Sequence, residues 1–288
     1  MSVTLLSSTV APNKASPPDV VSSLRPLFKK FLPRCRLDEE RRCGGDIETE
    51  LEVPKVENVS KDLLDAGRGY EKMFVPALFV SWPPYLTAEA GLGEGAHVLD
   101  IACGTGVLAR HVLSIVGPTG RVVGVDPAPG MLAAAREVEP TIDWMLCSAE
   151  DLPLEDASFD SVMSQFGMMF FKDRPKAIAE MVRVLKPGGS LAIAVWDSVD
   201  KNPGYEGTIA VLEEEVGTAA ADALRLPYSL GDSDVVASEL KAGGITDVAV
   251  ETRSGSARFS SSSLGFPASR FSFANSSSRI NSWMYCPP

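Results

Sequence analysis

Histidine is almost missing from this 288-residue sequence, which has only His97 and His111. Its five cysteines (Cys35, Cys43, Cys103, Cys147 and Cys286) are scattered, and none forms a C-x-x-C pair. Together these shortages argue against a zinc site of Cys/His spacing and against a disulfide framework, and a reducing compartment fits best. No run approaches the roughly 20 consecutive apolar residues that a bilayer-crossing helix needs, so the chain reads as soluble. Base is also in short supply. With 27 Lys and Arg against 38 Asp and Glu, the formal charge is −11. A phosphate backbone rewards clustered Lys and Arg, so a nucleic-acid partner is not expected. What remains is ordinary globular composition, 45% hydrophobic and 23% charged, in a chain long enough to bury a sizeable core.

Charge is unevenly spread. Residues 1–36 hold one acid, Asp19, against six bases, with many serines. Val20, Val21, Leu24, Leu27, Phe28, Phe31 and Leu32 recur there at helical spacing, although Pro26 interrupts them. Such a stretch reads as an organelle transit peptide or as a disordered leader with a short surface helix. The compartment is therefore the cytoplasm or, through such a peptide, a mitochondrion or plastid. Residues 37–58 are polar and charged, as in a linker. The expected division is a disordered leader and linker over 1–58, a folded domain over 59–253 and a Ser-rich, disordered tail over 254–288. That tail holds twelve serines and no acid.

Within the folded domain the periodicity alternates. Strands are expected at Val98–Ala102, Arg121–Asp126, Trp144–Ala149, Phe159–Phe166, Ser190–Trp196 and Asp247–Thr252. Helices are expected at Val107–Ile115, Gly130–Val138, Arg174–Leu185, Tyr205–Val216 and Asp232–Ala242. Mostly apolar strands alternating with helices indicate an α/β fold, a doubly wound and mostly parallel sheet covered on both faces.

The sharpest motif is Asp100-Ile101-Ala102-Cys103-Gly104-Thr105-Gly106, at the end of the first of these strands. Its glycines permit a tight turn and let a ligand approach the backbone where a helix begins. Gly104-x-Gly106-x-x-Ala109 also fits a dinucleotide fingerprint, with Asp126 placed 20 residues beyond Gly106 as a ribose acid. Asp100 argues otherwise: a carboxylate four residues before the first glycine would repel a pyrophosphate and favour a cationic ligand. The bland reading has Asp100 capping the following helix and Asp126 opening a turn before Pro127.

VLDIACGTG, VVGVDPAPGML, AEDLPLEDASFDSV and VLKPGG, in that order, resemble class I S-adenosylmethionine-dependent methyltransferases. The resemblance spans about residues 65–255 and is strongest to the branch of the ubiquinone/menaquinone-biosynthesis methyltransferases. It implies a Rossmann-like sheet of seven strands, the seventh antiparallel between the fifth and sixth, although no seventh strand is legible after residue 252. It also implies S-adenosylmethionine as cofactor. By position, Asp100, Ala102, Gly104, Thr105 and Gly106 resemble the turn around the methionine part, and Asp126 resembles the ribose acid. Pro127 and Met131 should pack on the adenine, with Ser148, Ala149 and Glu150 along its edge. Gln165 and Phe166 should lie near the reactive methyl, and Tyr70 resembles an aromatic residue folded over the cofactor or else a core ring beside Phe74 and Phe79. Ser148 stands where the family often has Asp. Cys103 is expected to pack and not to act as a nucleophile.

The expected activity is methyl transfer to a small-molecule acceptor, with the apolar segment Phe166–Phe171 hinting at an apolar or aromatic one. No metal is called for, no catalytic residue is assigned, and the oligomeric state is not legible. Two other readings stay open. One is a cofactor-binding regulatory protein that has lost the chemistry; the other is an NAD(P)-dependent oxidoreductase.

Overall fold

Short aliphatic and β-branched runs make the centre of the molecule, because residues of this kind can be buried on both faces of a sheet. The computed structural model describes residues 2–9, 59–215, 217–245 and 247–257. Its strands are β1 (Ser2–Thr9), β2 (His97–Ile101), β3 (Arg121–Asp126), β4 (Asp143–Leu146), β5 (Phe159–Gln165), β6 (Leu185–Trp196) and β7 (Ala249–Ser254). Its α-helices are α1 (Lys61–Phe74), α2 (Pro83–Ala90), α3 (Val107–Val116), α4 (Pro129–Val138), α5 (Arg174–Val184), α6 (Pro203–Glu215), α7 (Thr218–Arg225) and α8 (Ser233–Ala242).

All seven strands form one sheet in the order β4-β3-β2-β5-β6-β1-β7. β2 pairs in parallel with β3 on one side and with β5 on the other. The chain order therefore reverses at β2, and the crevice for a ligand opens beyond the carboxyl ends of β2, β3 and β5. β3–β4 and β5–β6 are also parallel. This is the doubly wound, Rossmann-like α/β fold that the sequence pattern implies.

The antiparallel strand is the surprise. β1 lies between β6 and β7, with Val3 opposite Trp196 and Arg253, and Leu5 opposite Ala194 and Glu251. Residues 2–9 were expected within a disordered leader; they are an interior strand next to the sheet edge instead, with Val3, Leu5 and Leu6 buried. The seventh strand that the sequence did not reveal after residue 252 is thus supplied from the other end of the chain. Charge patterning hid it, because VTLLSST carries no charge but precedes the basic stretch that dominates residues 1–36. That basic stretch, Val20–Leu32 included, and the linker up to residue 58 lie outside the described residues, as does the tail beyond 257. The expected boundary at 253 falls inside β7.

Local chemistry accounts for most ends. Ser60 caps α1 by accepting from Leu63 N, Asp173 caps α5 at Lys176 N, and Asp232 caps α8 at Asp234 N and Val235 N. Pro129 and Pro175 fall in the first turns of α4 and α5, where a missing N–H costs nothing. β4 is shorter than expected, ending at Leu146. A helix pair brings α1 to the site: a Cβ on Gly67 would strike Gly130 O, and one on Gly130 would strike Leu63 O, so only glycines let α1 press onto α4.

Candidate cofactor and acceptor site

The loop after β2 turns through three left-handed residues, Ala102 (φ 56°), Gly104 (φ 56°) and Gly106 (φ 84°). Gly106 cannot be replaced without displacing the indole of Trp144, which fills the space beneath the loop. Trp144 is anchored by its Nε1 donating to Glu139 O at 2.8 Å. Its β-strand context gave no sign of that role.

Two carboxylates brace this loop. Asp126 Oδ2 accepts from Gly104 N at 2.9 Å, and its Oδ1 accepts from Ala128 N at 2.8 Å. Asp100 Oδ2 accepts from Ala109 N at 3.0 Å, in the first turn of α3. The capping and turn roles of the bland reading are therefore real. They do not exhaust either group. Asp100 is buried and its Oδ1 has no partner among the described residues. A buried acceptor left unpaired costs about 1–3 kcal/mol, so this atom is ready for a donor. Burial, with the nearby Asp126 charge adding to it, pushes the Asp100 carboxyl up to about 8, against the opposing pull of the Ala109 N–H and Arg110. Asp126 is also raised by burial, while the N–H groups of Ala128 and Gly104 hold it back.

Other unpaired oxygens lie on the loop, on α1 and at the end of β5. Arg110 links the loop to α1, donating to Thr105 O and, at 2.7 Å, to Glu71 Oε1. Glu71 Oε2 and Thr105 Oγ1 have no partner among the described residues, nor has Oε1 of Gln165, whose Nε2 donates to Phe79 O at 3.3 Å. Once ionised, the Asp100 and Glu71 oxygens suit a cationic, hydrogen-bond-donating ligand, whose charge would draw the proton from Asp100, and they oppose a pyrophosphate. They fit the ammonium and sulfonium of S-adenosylmethionine. Neither Glu71 nor Arg110 stood out in the sequence, because 39 residues separate the partners and only the α1 packing unites them.

The remaining expected residues divide. Tyr70 projects from α1 over the loop, its ring edge 4.0 Å from where a Cβ of Gly104 would be. It stacks on Phe79 at 5.5 Å and tilts against Phe74 at 5.7 Å, as the core-ring reading expects. Pro127 is exposed and Met131 half-buried after β3; Ala149 is buried and Ser148 half-buried after β4. Glu150 turns to another task. Its Oε1 accepts from Lys172 N at 2.7 Å and Asp173 N at 3.2 Å, and against the cost of burial these bonds hold its pKa below the ordinary value. Cys103 is buried, and burial with the nearby Asp126 and Asp100 charges raises its thiol pKa far from nucleophilic range, as expected for a packing residue.

Beyond Gln165 an aromatic wall begins. Phe166 adopts φ 59° and stacks on Trp196 with centroids 3.9 Å apart and planes 6° from parallel. Phe79 and Trp82 close on both rings at 5.7–6.3 Å, and Tyr228 meets Trp196 at 6.4 Å. Of the Phe166–Phe171 segment, Met168 and Met169 are core, whereas Phe170 is exposed. Trp196, Trp82 and Tyr228 were not singled out in the sequence as parts of this wall, because their convergence depends on segments far apart along the chain.

Among the described residues there is no helix long and apolar enough to cross a membrane and no group of three or more His, Cys, Asp or Glu placed to hold a metal. A family model described as Methyltransferase domain matches residues 99–193. The ubiquinone/menaquinone biosynthesis C-methyltransferase UbiE of Ralstonia pickettii is 33% identical over 177 residues, covering 58% of this chain and 68% of its own. The enzyme of the same name from Pseudoalteromonas translucida is 39% identical over 118 residues, 39% of this chain and 47% of its own length. Against that relative and the one from Burkholderia mallei, the chain spans about half their length, 47% and 58%. A solved SAM dependent methyltransferase from Aquifex aeolicus is 28% identical, covers 38% of this chain and 62% of its own, and gives a TM-score of 0.35. A dinucleotide oxidoreductase is not favoured by the family match. The chain belongs to the class I S-adenosylmethionine-dependent methyltransferases and is related to the ubiquinone/menaquinone-biosynthesis C-methyltransferases.

Proposed function

We propose that this chain transfers the methyl group of S-adenosylmethionine to a small molecule with an apolar or aromatic face. The observation that carries the reading is the buried Asp100 carboxyl, with one oxygen unpartnered among the described residues, beside the Asp126-latched glycine loop. When bound, the cofactor supplies a methyl group already activated by a sulfonium, open to in-line displacement. The chain's task is then to bind, orient and keep out water. Asp100 Oδ1 would receive the ammonium of the methionine part over the Ala102–Gly106 turn. Asp126 keeps lone pairs on both oxygens for ribose hydroxyls. Pro127, Met131, Ser148 and Ala149 would border the adenine, and Tyr70 would cover the ligand from α1. Gln165, Phe166 and Trp196 would face the acceptor and exclude water from it. His97 lies at the start of β2 and His111 on α3, so neither is given a catalytic role. The acid excess supports a partner other than nucleic acid, and the scattered cysteines support a reducing compartment such as the cytoplasm.

The test is calorimetric titration with S-adenosylhomocysteine. Wild type should bind in the micromolar range, and Asp126→Ala should weaken binding about 10–100-fold, the worth of charge-assisted hydrogen bonds near 1.5–3 kcal/mol. Equal affinity in the two proteins would remove Asp126 from the site. Release of S-adenosylhomocysteine on adding aromatic acceptors separates an enzyme from a binding protein.

A further inference from the structure

β1 is the only described strand that touches β7. β7 is solvated along most of its length, with Glu251 and Arg253 half-buried and its other four residues exposed, so burial does little to hold it there. Its attachment to the sheet passes through β1, which pairs with it from Ser2 to Ser7. On the other side β1 pairs with β6 across seven residues, from Val3 opposite Trp196 to Thr9 opposite Ser190. The sequence suits the place: VTLLSST is uncharged and free of proline, and adjacent Leu5 and Leu6 are both buried, as a strand covered on both faces requires. Residues 10–58 separate β1 from the rest of the described fold, so its attachment is nonlocal.

We propose that Ser2–Thr9 occupies a strand-accepting slot between β6 and β7 in cis, and by doing so holds the carboxyl end of β6 and its Trp196 in position. A slot of this kind binds an extended, uncharged peptide by main-chain hydrogen bonds on both edges, with apolar side chains supplying the anchors. Withdrawal of the strand leaves two open edges, β6 and β7, and removes Val3, the backbone partner of Trp196 at the end of β6. The cofactor end of the sheet (β2, β3 and β4) makes no pairing to β1 and keeps its own order. The N-terminus thereby governs the acceptor wall separately from the cofactor loop. The acceptor role of that wall rests on the proposed methyl transfer, so the tests read structure and not turnover.

In the full chain, Thr4→Cys with Thr252→Cys places two thiols on Cα partners. Oxidation should give a crosslink within one chain that Thr4→Cys alone does not give. A disulfide-linked dimer, or no crosslink, would overturn the assignment in cis. In the second experiment Ser2–Thr9 are deleted and amide exchange is followed by mass spectrometry. Residues 190–196 and 249–254 should exchange at least tenfold faster, while 97–101 and 121–126 keep their protection and S-adenosylhomocysteine still binds. A synthetic peptide of residues 1–11 should restore the slow exchange. Unchanged exchange at 190–196, or uniform loss throughout the sheet, would each sink the proposal. Should the deletion not fold, the crosslink still decides.

Discussion

Asp100 is strained by its surroundings in a way that can be read out by pH. Its ordinary value is 3.8 and burial raises it to about 8 in the fold. A carboxyl whose folded value is raised holds its proton in the native state while the unfolded chain releases it. The contribution of this group to stability therefore falls as pH climbs from about 4 to about 8 and levels off above. Asparagine keeps the acceptor for Ala109 N without the charge. Asp100→Asn should melt with wild type near pH 4 and clearly above it at pH 8, while binding S-adenosylhomocysteine more weakly. Coincident melting curves at both values would show that Asp100 is ionised without cost. Phe166 stores strain of a different kind, since φ 59° costs a bulky residue about 1–3 kcal/mol. The stack on Trp196 and the N–H bond to Ala194 O at 2.9 Å hold it there. Phe166→Gly should keep cofactor affinity and lower turnover of an aromatic acceptor about tenfold, the worth of one aromatic contact; acceptor kinetics beside calorimetry check it.

Among the elements, α1 was the least legible and β1 the most misleading. Nothing in residues 61–74 announces that Gly67 will meet Gly130 on α4, yet this approach sets Tyr70 and Glu71 over the glycine loop. Glu71→Ala removes the carboxylate from Arg110, each about four-fifths buried, and should cost about 1–3 kcal/mol of stability in urea unfolding. It should also weaken S-adenosylhomocysteine binding, whereas a substitution at the exposed Lys72 should change neither. For β1, Leu5→Ala should cost about 2–5 kcal/mol, as for any buried leucine, although a disordered leader would register nothing. By contrast β3 and the starts of β5 and α5 fell where they were expected. Their signals are local: apolar runs ending in Asp126, an Asp173 cap and a proline in the first turn.

For the molecule as a whole, cofactor binding should be visible as stability. S-adenosylhomocysteine at a hundred times its Kd should stabilise the wild type by about 2.7 kcal/mol, seen as a rise in melting temperature. In Asp126→Ala at the same concentration the rise should shrink markedly, and an equal rise would mean the ligand sits elsewhere. What the sequence alone determined is the glycine-loop half: the strands β2, β3 and β5, the glycine turn and the two strand-end acids lie within short stretches whose spacing carries their own geometry. Only the tertiary structure decided the rest. It set Glu71 on Arg110, gathered Phe79, Trp82, Phe166 and Trp196, and put Ser2–Thr9 into the antiparallel slot. Those contacts join residues far apart along the chain, where periodicity has no reach and burial and edge pairing choose the partner.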